Sequence, residues 1–213
     1  MNGLINFLTN PNIMLYLTAY LIASIPFGVI IVKSLYSVDI TKEGSKSIGA
    51  TNVYRVLKNI DLKNAKKIAI ITIICDVLKG FLPIIIAKFA GVDENVLWMM
   101  AVMAVLGHCF SAFLKFEGGK GVATSYGVFA AFLPIEVALS VVVWFFVGKF
   151  IKVSSIASLS GIFTFLILSL IIHPQILPIN THAPIIIIVF IVLYKHIPNI
   201  KRLIFKEEKQ VLW

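Results

Sequence analysis

Residues 121–148 read GVATSYGVFAAFLPIEVALSVVVWFFVG, and how often this stretch crosses a bilayer decides the fold. At a helical rise of about 1.5 Å per residue, one crossing of the hydrocarbon core takes roughly 20 residues, with about 17–25 tolerated. The stretch is too long for one straight crossing. Pro134, followed by Glu136, interrupts it, and a proline inside a helix removes a backbone donor and crowds the preceding turn. Two short segments, roughly 122–133 and 137–148, are therefore expected.

Five further apolar stretches flank it, at about 11–34, 68–90, 96–115, 154–172 and 183–196, each sized for one span and the last only marginally. If 121–148 crosses twice, the chain has seven spans. With the N-terminus outside, the inner loops lie near 35–67, 115–120, 149–152 and 196–213. Those loops and the adjoining helix ends hold all of the 19 lysines and arginines except Lys79, inside a span, and Lys88, on the outer side with Asp93, Glu94 and Glu136. Basic residues concentrate on the cytoplasmic side of membrane proteins, so this asymmetry favours seven spans over six. The expected fold is an all-α integral membrane protein of seven transmembrane helices, some short, with the N-terminus outside and the C-terminus cytoplasmic. Residues 1–213 form a single transmembrane domain.

Composition agrees. The 213 residues are 59% hydrophobic and 14% charged, with a mean hydropathy of +0.97, whereas a soluble domain carries about a quarter charged residues. That excludes a soluble globule. The absence of a glycine period or a charge block excludes collagen-like and disordered chains. The net charge of +9 is large for so apolar a chain. Cys75 and Cys109 sit in apolar runs without metal-ligand or disulfide spacing, and are expected to be buried small hydrophobes. Residues 1–32 contain no lysine or arginine. A secretory signal peptide with its basic leading region is therefore not expected, and the first apolar stretch should be retained. Pro26 and Pro83 fall inside spans, where neighbouring helices can satisfy the freed backbone groups.

Three polar segments interrupt the chain, all on the basic side. Residues 44–55, GSKSIGATNVYR, combine turn-permitting Gly44 and Gly49, neutral donors on Ser45, Thr51 and Asn52, and the planar guanidinium of Arg55. Residues 116–124, FEGGKGVAT, set Gly118, Gly119 and Gly121 around Lys120 just before a helical stretch. Backbone N–H groups and a helix N-terminus can there converge on an anion, with the ammonium adding a point charge. The spacing is not that of a Walker A loop. Residues 195–202, KHIPNIKR, place His196 and Asn199 three apart, on one helical face, although Pro198 suggests that the helix is distorted or ends there. For Lys201, Arg202, Lys206 and Lys209, contact with anionic lipid headgroups is a sufficient account.

Taken singly, the first segment reads better as an ordinary loop, three glycines around one lysine fit an ordinary turn less comfortably, and the headgroup account of the third does not require His196 or Asn199. Together they put fixed positive charge and backbone donors at one membrane face, which suits phosphorylated substrates. Asp76 and Lys79, at i and i+3 within a span, are read as a structural pair, with support of the site as the alternative. His108 is read as a polar contact between helices.

The motifs SIPFG (24–28), GATNVYR (49–55), DVLKGFLP (76–83), GHCFSAFLKFEGGKGVAT (107–124) and KHIPNIKR (195–202) resemble, in order and spacing, those of the bacterial acyl-phosphate:glycerol-3-phosphate acyltransferases, the PlsY family. The resemblance implies seven spans, transfer of a fatty acyl group from acyl phosphate to the 1-hydroxyl of glycerol 3-phosphate, and lysophosphatidic acid as product. It also implies a multi-pass protein of the bacterial cell (inner) membrane with the site facing the cytoplasm. By position, Ser45, Arg55, Lys120, His196 and Asn199 are the implied catalytic residues. Gly49, Asn52, Gly118, Gly119 and Gly121 are the implied substrate-binding ones. No metal, cofactor, nucleic acid or obligate protein partner is implied, and the partners are the two substrates and membrane lipids. The sequence departs from the family pattern at Lys46, Ser47, Ser111 and Pro198. His196 or the substrate phosphate would accept the proton. A small channel or lipid-phosphate transporter with a basic cytoplasmic mouth is the alternative reading.

Overall fold

The computed structural model describes residues 9–208 and 210, and within them the secondary structure is entirely helical. In chain order the helices are α1 (Pro11–Ser24), α2 (Phe27–Tyr36), α3 (Ala50–Leu57), α4 (Leu62–Phe89), α5 (Glu94–Cys109), a 3-10 turn (Ala112–Leu114), α6 (Val122–Ala130), α7 (Pro134–Ile151), α8 (Ser154–Ile172) and α9 (Ala183–Ile204). Six helical units are long and apolar enough to cross a bilayer: Pro11–Tyr36, Leu62–Phe89, Glu94–Leu114, Pro134–Ile151, Ser154–Ile172 and Ala183–Ile204. The short α6 completes the bundle.

The break in 121–148 is real but unequal. Helix α6 has 9 residues and α7 has 18, not two matching halves. Pro134 sits in the first turn of α7, where a missing N–H costs nothing, so the helix starts earlier than expected. Glu136, expected on an outer loop, is instead in that first turn. It is 1% exposed, with its Oε1 2.9 Å from His173 Nε2. A carboxylate at a helix N-terminus gains from the dipole as well as from its partner.

Pro26 splits the first span into α1 and α2. The Ile25 carbonyl beside the break accepts a hydrogen bond from Lys79 Nζ at 2.9 Å, a buried donor meeting a backbone group freed by proline. Lys79 also pairs with Asp76 Oδ1 at 2.9 Å, and both side chains are buried. Pro83 lies within α4 without ending it. Pro198 does not end α9 either; the helix continues to Ile204, so the last apolar stretch forms a 22-residue helix. Its freed backbone acceptor costs one internal bond, too little to stop a helix docked along one side.

Helix α1 packs along α5, α7 along α8, and α4 along α6. The α4–α6 crossing is close because a Cβ on Gly80 would lie 2.6 Å from the Thr124 carbonyl oxygen. Small residues permit such contact where the lipid supplies no drive to associate. The main apolar cluster includes Trp98, Phe129, Phe165, Ile162, Ile185 and Ile188. A second, smaller cluster joins Val32, Ile40, Val53, Val56, Leu57 and Ile68. It docks the amphipathic α3 through positions 53, 56 and 57, at i, i+3 and i+4. Each of these side chains contributes roughly 1.5–3 kcal/mol on burial. Helix α3 is thereby fixed against α2 and the start of α4, with Arg55 turned away from its buried stripe. Cys75 and Cys109 are free thiols, Cys109 buried and Cys75 partly so.

Candidate active site

The loop 40–49 is shaped by one side chain. Asn52 Nδ2 donates to the carbonyls of Ile40, Glu43 and Ser47 at 3.0, 3.1 and 2.8 Å, while its Oδ1 accepts from the Ser45 N–H at 2.7 Å. The amide is 1% exposed and its donors and acceptor are used within the chain. Asn52 therefore sets the loop that presents Ser45. Thr51 and Ser154 hydroxyls lie 2.9 Å apart, tying the first turn of α3 to the start of α8.

The glycine loop before α6 is held by His108. Gly119 N–H donates to the His108 carbonyl at 3.0 Å, and a Cβ on Gly119 would strike the His108 ring, as one on Gly118 would strike the His108 carbonyl. Gly121 caps α6 at φ +84, in the left-handed region. Lys120 projects from this loop. Its ammonium is pushed down to about 8 by burial, with Arg202 and Arg55 nearby adding to the shift against the opposing pull of Glu208. Beneath the loop, His108 Nδ1 lies 3.7 Å from Asp76 Oδ1, so the Asp76–Lys79 pair also backs the site. Asp76 is thus paired with Lys79 and faces His108, whose Nδ1 makes no hydrogen bond among the described residues.

On α9, His196 and Asn199 are both buried on one face. His196 Nδ1 is 2.7 Å from the Val192 carbonyl. A carbonyl only accepts, so Nδ1 carries the proton and Nε2 is left as an acceptor. Asn199 Nδ2 donates to Glu208 Oε1 at 2.6 Å, Ser155 Oγ to the same oxygen at 3.0 Å, and Arg202 Nε to Oε2 at 2.6 Å. Burial alone would raise the Glu208 carboxyl, but these three donors hold it below the usual carboxylate range. Burial lowers Arg55, and Arg202 adds to that, opposed by Glu208.

All five catalytic candidates, Ser45, Arg55, Lys120, His196 and Asn199, line one cavity of about 840 Å³, with Gly49, Asn52 and Gly121. From this polar mouth it continues along Ile73, Val77, Tyr126, Ala130, Val137 and Val141 into the apolar bundle. Gly118 lines a second cavity of about 410 Å³, which shares Ser45, Lys46, Ser47, Lys120, Asn199 and Arg202 with the first. Gly119 lines neither and is packed on His108. Arg202, assigned above to headgroups, is instead ion-paired and lines both cavities, a correction that rests on Glu208. Sequence reasoning missed Glu208 and Ser155. The signal for Glu208 was an acidic pair, Glu207 and Glu208, inside an otherwise basic tail. Lys209 lies outside the described residues.

Fold and site together define a multi-pass helical membrane protein with two adjoining cavities lined by basic and polar residues, one of them running into the apolar bundle. The family model described as glycerol-3-phosphate acyltransferase matches residues 13–206. The glycerol-3-phosphate acyltransferase of Campylobacter concisus (strain 13826) is 59% identical over 201 residues, covering 94% of this chain and 99% of that protein. The one from Wolinella succinogenes is 52% identical over 207 residues, 97% of this chain and 100% of its own. The crystal structure of PlsY (YgiH), an integral membrane glycerol 3-phosphate acyltransferase, in its glycerol 3-phosphate form superimposes with a TM-score of 0.84 at 35% identity, over 94% of this chain and 96% of that one. Its lysophosphatidic acid form gives a TM-score of 0.81 at 34% identity, over 94% and 95%. The chain belongs to the glycerol-3-phosphate acyltransferase family.

Proposed function

We propose that this protein transfers a fatty acyl group from an acyl phosphate to the 1-hydroxyl of glycerol 3-phosphate, giving lysophosphatidic acid and inorganic phosphate. The observation that carries the reading is the pair of cavities sharing Ser45, Lys120 and Asn199. An acyl phosphate has an anionic head and an apolar tail, as the larger cavity has a basic mouth and an apolar depth. Glycerol 3-phosphate is polar throughout and matches the smaller one.

The chemistry balances without a protein nucleophile. The 1-hydroxyl oxygen attacks the acyl carbonyl carbon, the bond from that carbon to the phosphate oxygen breaks with its electron pair leaving on phosphate, and phosphate takes up the hydroxyl proton. Lys120 and Arg55 offset the repulsion of two phosphates held side by side. His196 Nε2 accepts the hydroxyl hydrogen bond and orients the attack. Asn52, Gly118 and Gly119 act by holding the loops, Ser45 and Asn199 by offering polar contacts on the shared wall. The protein crosses the bacterial cell membrane seven times, α6 making a short pass, with the N-terminus outside and the site at the cytoplasmic face. The concentration of basic residues at that end supports this orientation.

The test is direct: purified protein in lipid receives glycerol 3-phosphate with acyl phosphate, or with an acyl thioester as a comparison donor. Lysophosphatidic acid from acyl phosphate alone is expected. Product from neither donor would remove the assignment, and product from the thioester would move the donor.

A further inference from the structure

We propose that Lys46 is a specificity-determining residue for glycerol 3-phosphate, receiving its phosphate at the smaller cavity; this rests on the reading of that cavity given above. Among the described residues the cavity is lined by the cations Lys46, Lys120, Lys195 and Arg202, and by no aspartate or glutamate. The cations are not equivalent. Arg202 is committed to Glu208 at 2.6 Å. The Lys195 ammonium sits over the Phe110 ring, 4.8 Å from its centroid. Lys120 faces both cavities from its glycine loop. Among the described residues the Lys46 ammonium makes no ion pair, side-chain hydrogen bond or ring contact.

Its backbone is left-handed, as it is at six other non-glycine residues among the described ones. Lys46 has φ +59, in the left-handed region where a Cβ is crowded and which few residues other than glycine adopt. The loop enforces it. Lys46 N–H donates to the Glu43 carbonyl at 2.9 Å, and Asn52 clamps both neighbours, through the Ser45 N–H at 2.7 Å and the Ser47 carbonyl at 2.8 Å. This clamp fixes the direction in which Lys46 leaves the loop. It places an exposed ammonium, unpartnered among the described residues, at a cavity that no described carboxylate side chain lines, where Ser45 and Ser47 are also lining residues.

A phosphate monoester is the chemistry that suits it. Lys46 also lines the larger cavity, but Asp76, Glu207 and Glu208 line that one too and would oppose a second dianion there. The smaller cavity has no such opposition. A lysine is a flexible point charge rather than a rigid fork, so its effect falls on capture of the substrate more than on the chemical step.

The experiment compares wild type with Lys46→Gly, which suits the backbone and removes the charge, Lys46→Asn, a neutral residue tolerated at positive φ, and Lys46→Arg, which keeps the charge. Each is reconstituted in the same lipid; KM is measured for both substrates against salt, and glycerol 3-phosphate binding is measured by calorimetry without donor. The loss of a charge-assisted contact predicts a KM for glycerol 3-phosphate about tenfold higher in the Gly and Asn variants, with kcat changed much less. Weaker binding to match, a shallower salt dependence and near-normal KM in the Arg variant are also expected. An unchanged glycerol 3-phosphate KM and affinity in folded Gly and Asn variants would overturn the proposal, as would a rise in KM confined to acyl phosphate. Wild type that forms no lysophosphatidic acid would instead overturn the functional reading itself.

Discussion

The Asn199 amide donates to Glu208 at 2.6 Å across the end of α9, so the last described segment of the chain is part of the site wall. The path back is built by the backbone. Helix α9 ends at Ile204, Lys206 takes φ +57, and the Glu207 N–H returns to the Arg202 carbonyl at 2.7 Å. This closure in a left-handed residue is the common way to satisfy the last carbonyls of a helix. It delivers Glu208 to Asn199, Arg202 and Ser155 at once.

Glu208→Ala should therefore both loosen and inactivate the protein. Three donors lose their acceptor, and hydrogen bonds to a charged group contribute about 1.5–3 kcal/mol each. A lower melting temperature and at least a tenfold loss of turnover are expected, with Glu208→Gln intermediate. Thermal unfolding and product assays on the same preparations check this. Unchanged melting in Glu208→Ala would show that the carboxylate anchors nothing.

Lys120 gives the pH dependence. Its ammonium titrates near 8 in the free protein because burial disfavours the charge. The cation is the form that meets phosphate, so activity is held below that pH and lost as pH rises through it. The alkaline limb of kcat/KM should fall near pH 8, and bound phosphate should carry the limb of kcat higher. In Lys120→Arg, whose guanidinium stays charged, the alkaline limb should vanish from this range. A profile with the same limb in that variant would assign the limb to another group.

Asn52 offers a test of loop against ligand. Asn52→Ala strands the Ser45 N–H and three carbonyls, and a buried polar group left without a partner costs about 1–3 kcal/mol. Lower stability together with lost turnover is expected. A variant that melts normally but has a raised KM would make Asn52 a substrate contact instead.

The buried pair beneath the site is the fourth case. Lys79→Ala leaves Asp76 without its ion pair and the Ile25 carbonyl without its Lys79 contact; breaking a buried pair from one side costs about 3–5 kcal/mol. The double variant Asp76→Asn with Lys79→Met should be more stable than Lys79→Ala alone. Equal melting temperatures for the two would mean that the pair is not the source of the loss.

What could be read in advance was local. The proline break at 134, the lysines and arginines gathered between the same spans, and the glycines around Lys120 are each a pattern of a few residues whose physics needs no partner. Six spans follow from length and hydropathy alone. The unequal division of 121–148 was not legible, because proline is as comfortable opening a helix as it is disruptive within one. Neither was the extension of α9 past Pro198. The roles of Asn52, Arg202 and Glu208 were hidden for one reason: each is defined by a partner reached through a chain reversal, and a sequence displays a charge or an amide without showing what it meets. Arg202 looked like a headgroup contact until Glu208 stood beside it.

The central claim is that two fixed cations, Lys120 on the wall the two cavities share and Arg55 in the larger one, support acyl transfer between two phosphorylated substrates. Its most direct measurement is lysophosphatidic acid and phosphate release by wild type, Arg55→Ala and Lys120→Ala, each folded and in lipid, supplied with acyl phosphate and glycerol 3-phosphate. One lysophosphatidic acid per phosphate is expected from wild type, and at least a hundredfold less from either variant, the scale on which a single electrostatic contact to a developing charge acts. Wild-type turnover in Lys120→Ala or Arg55→Ala would contradict the account.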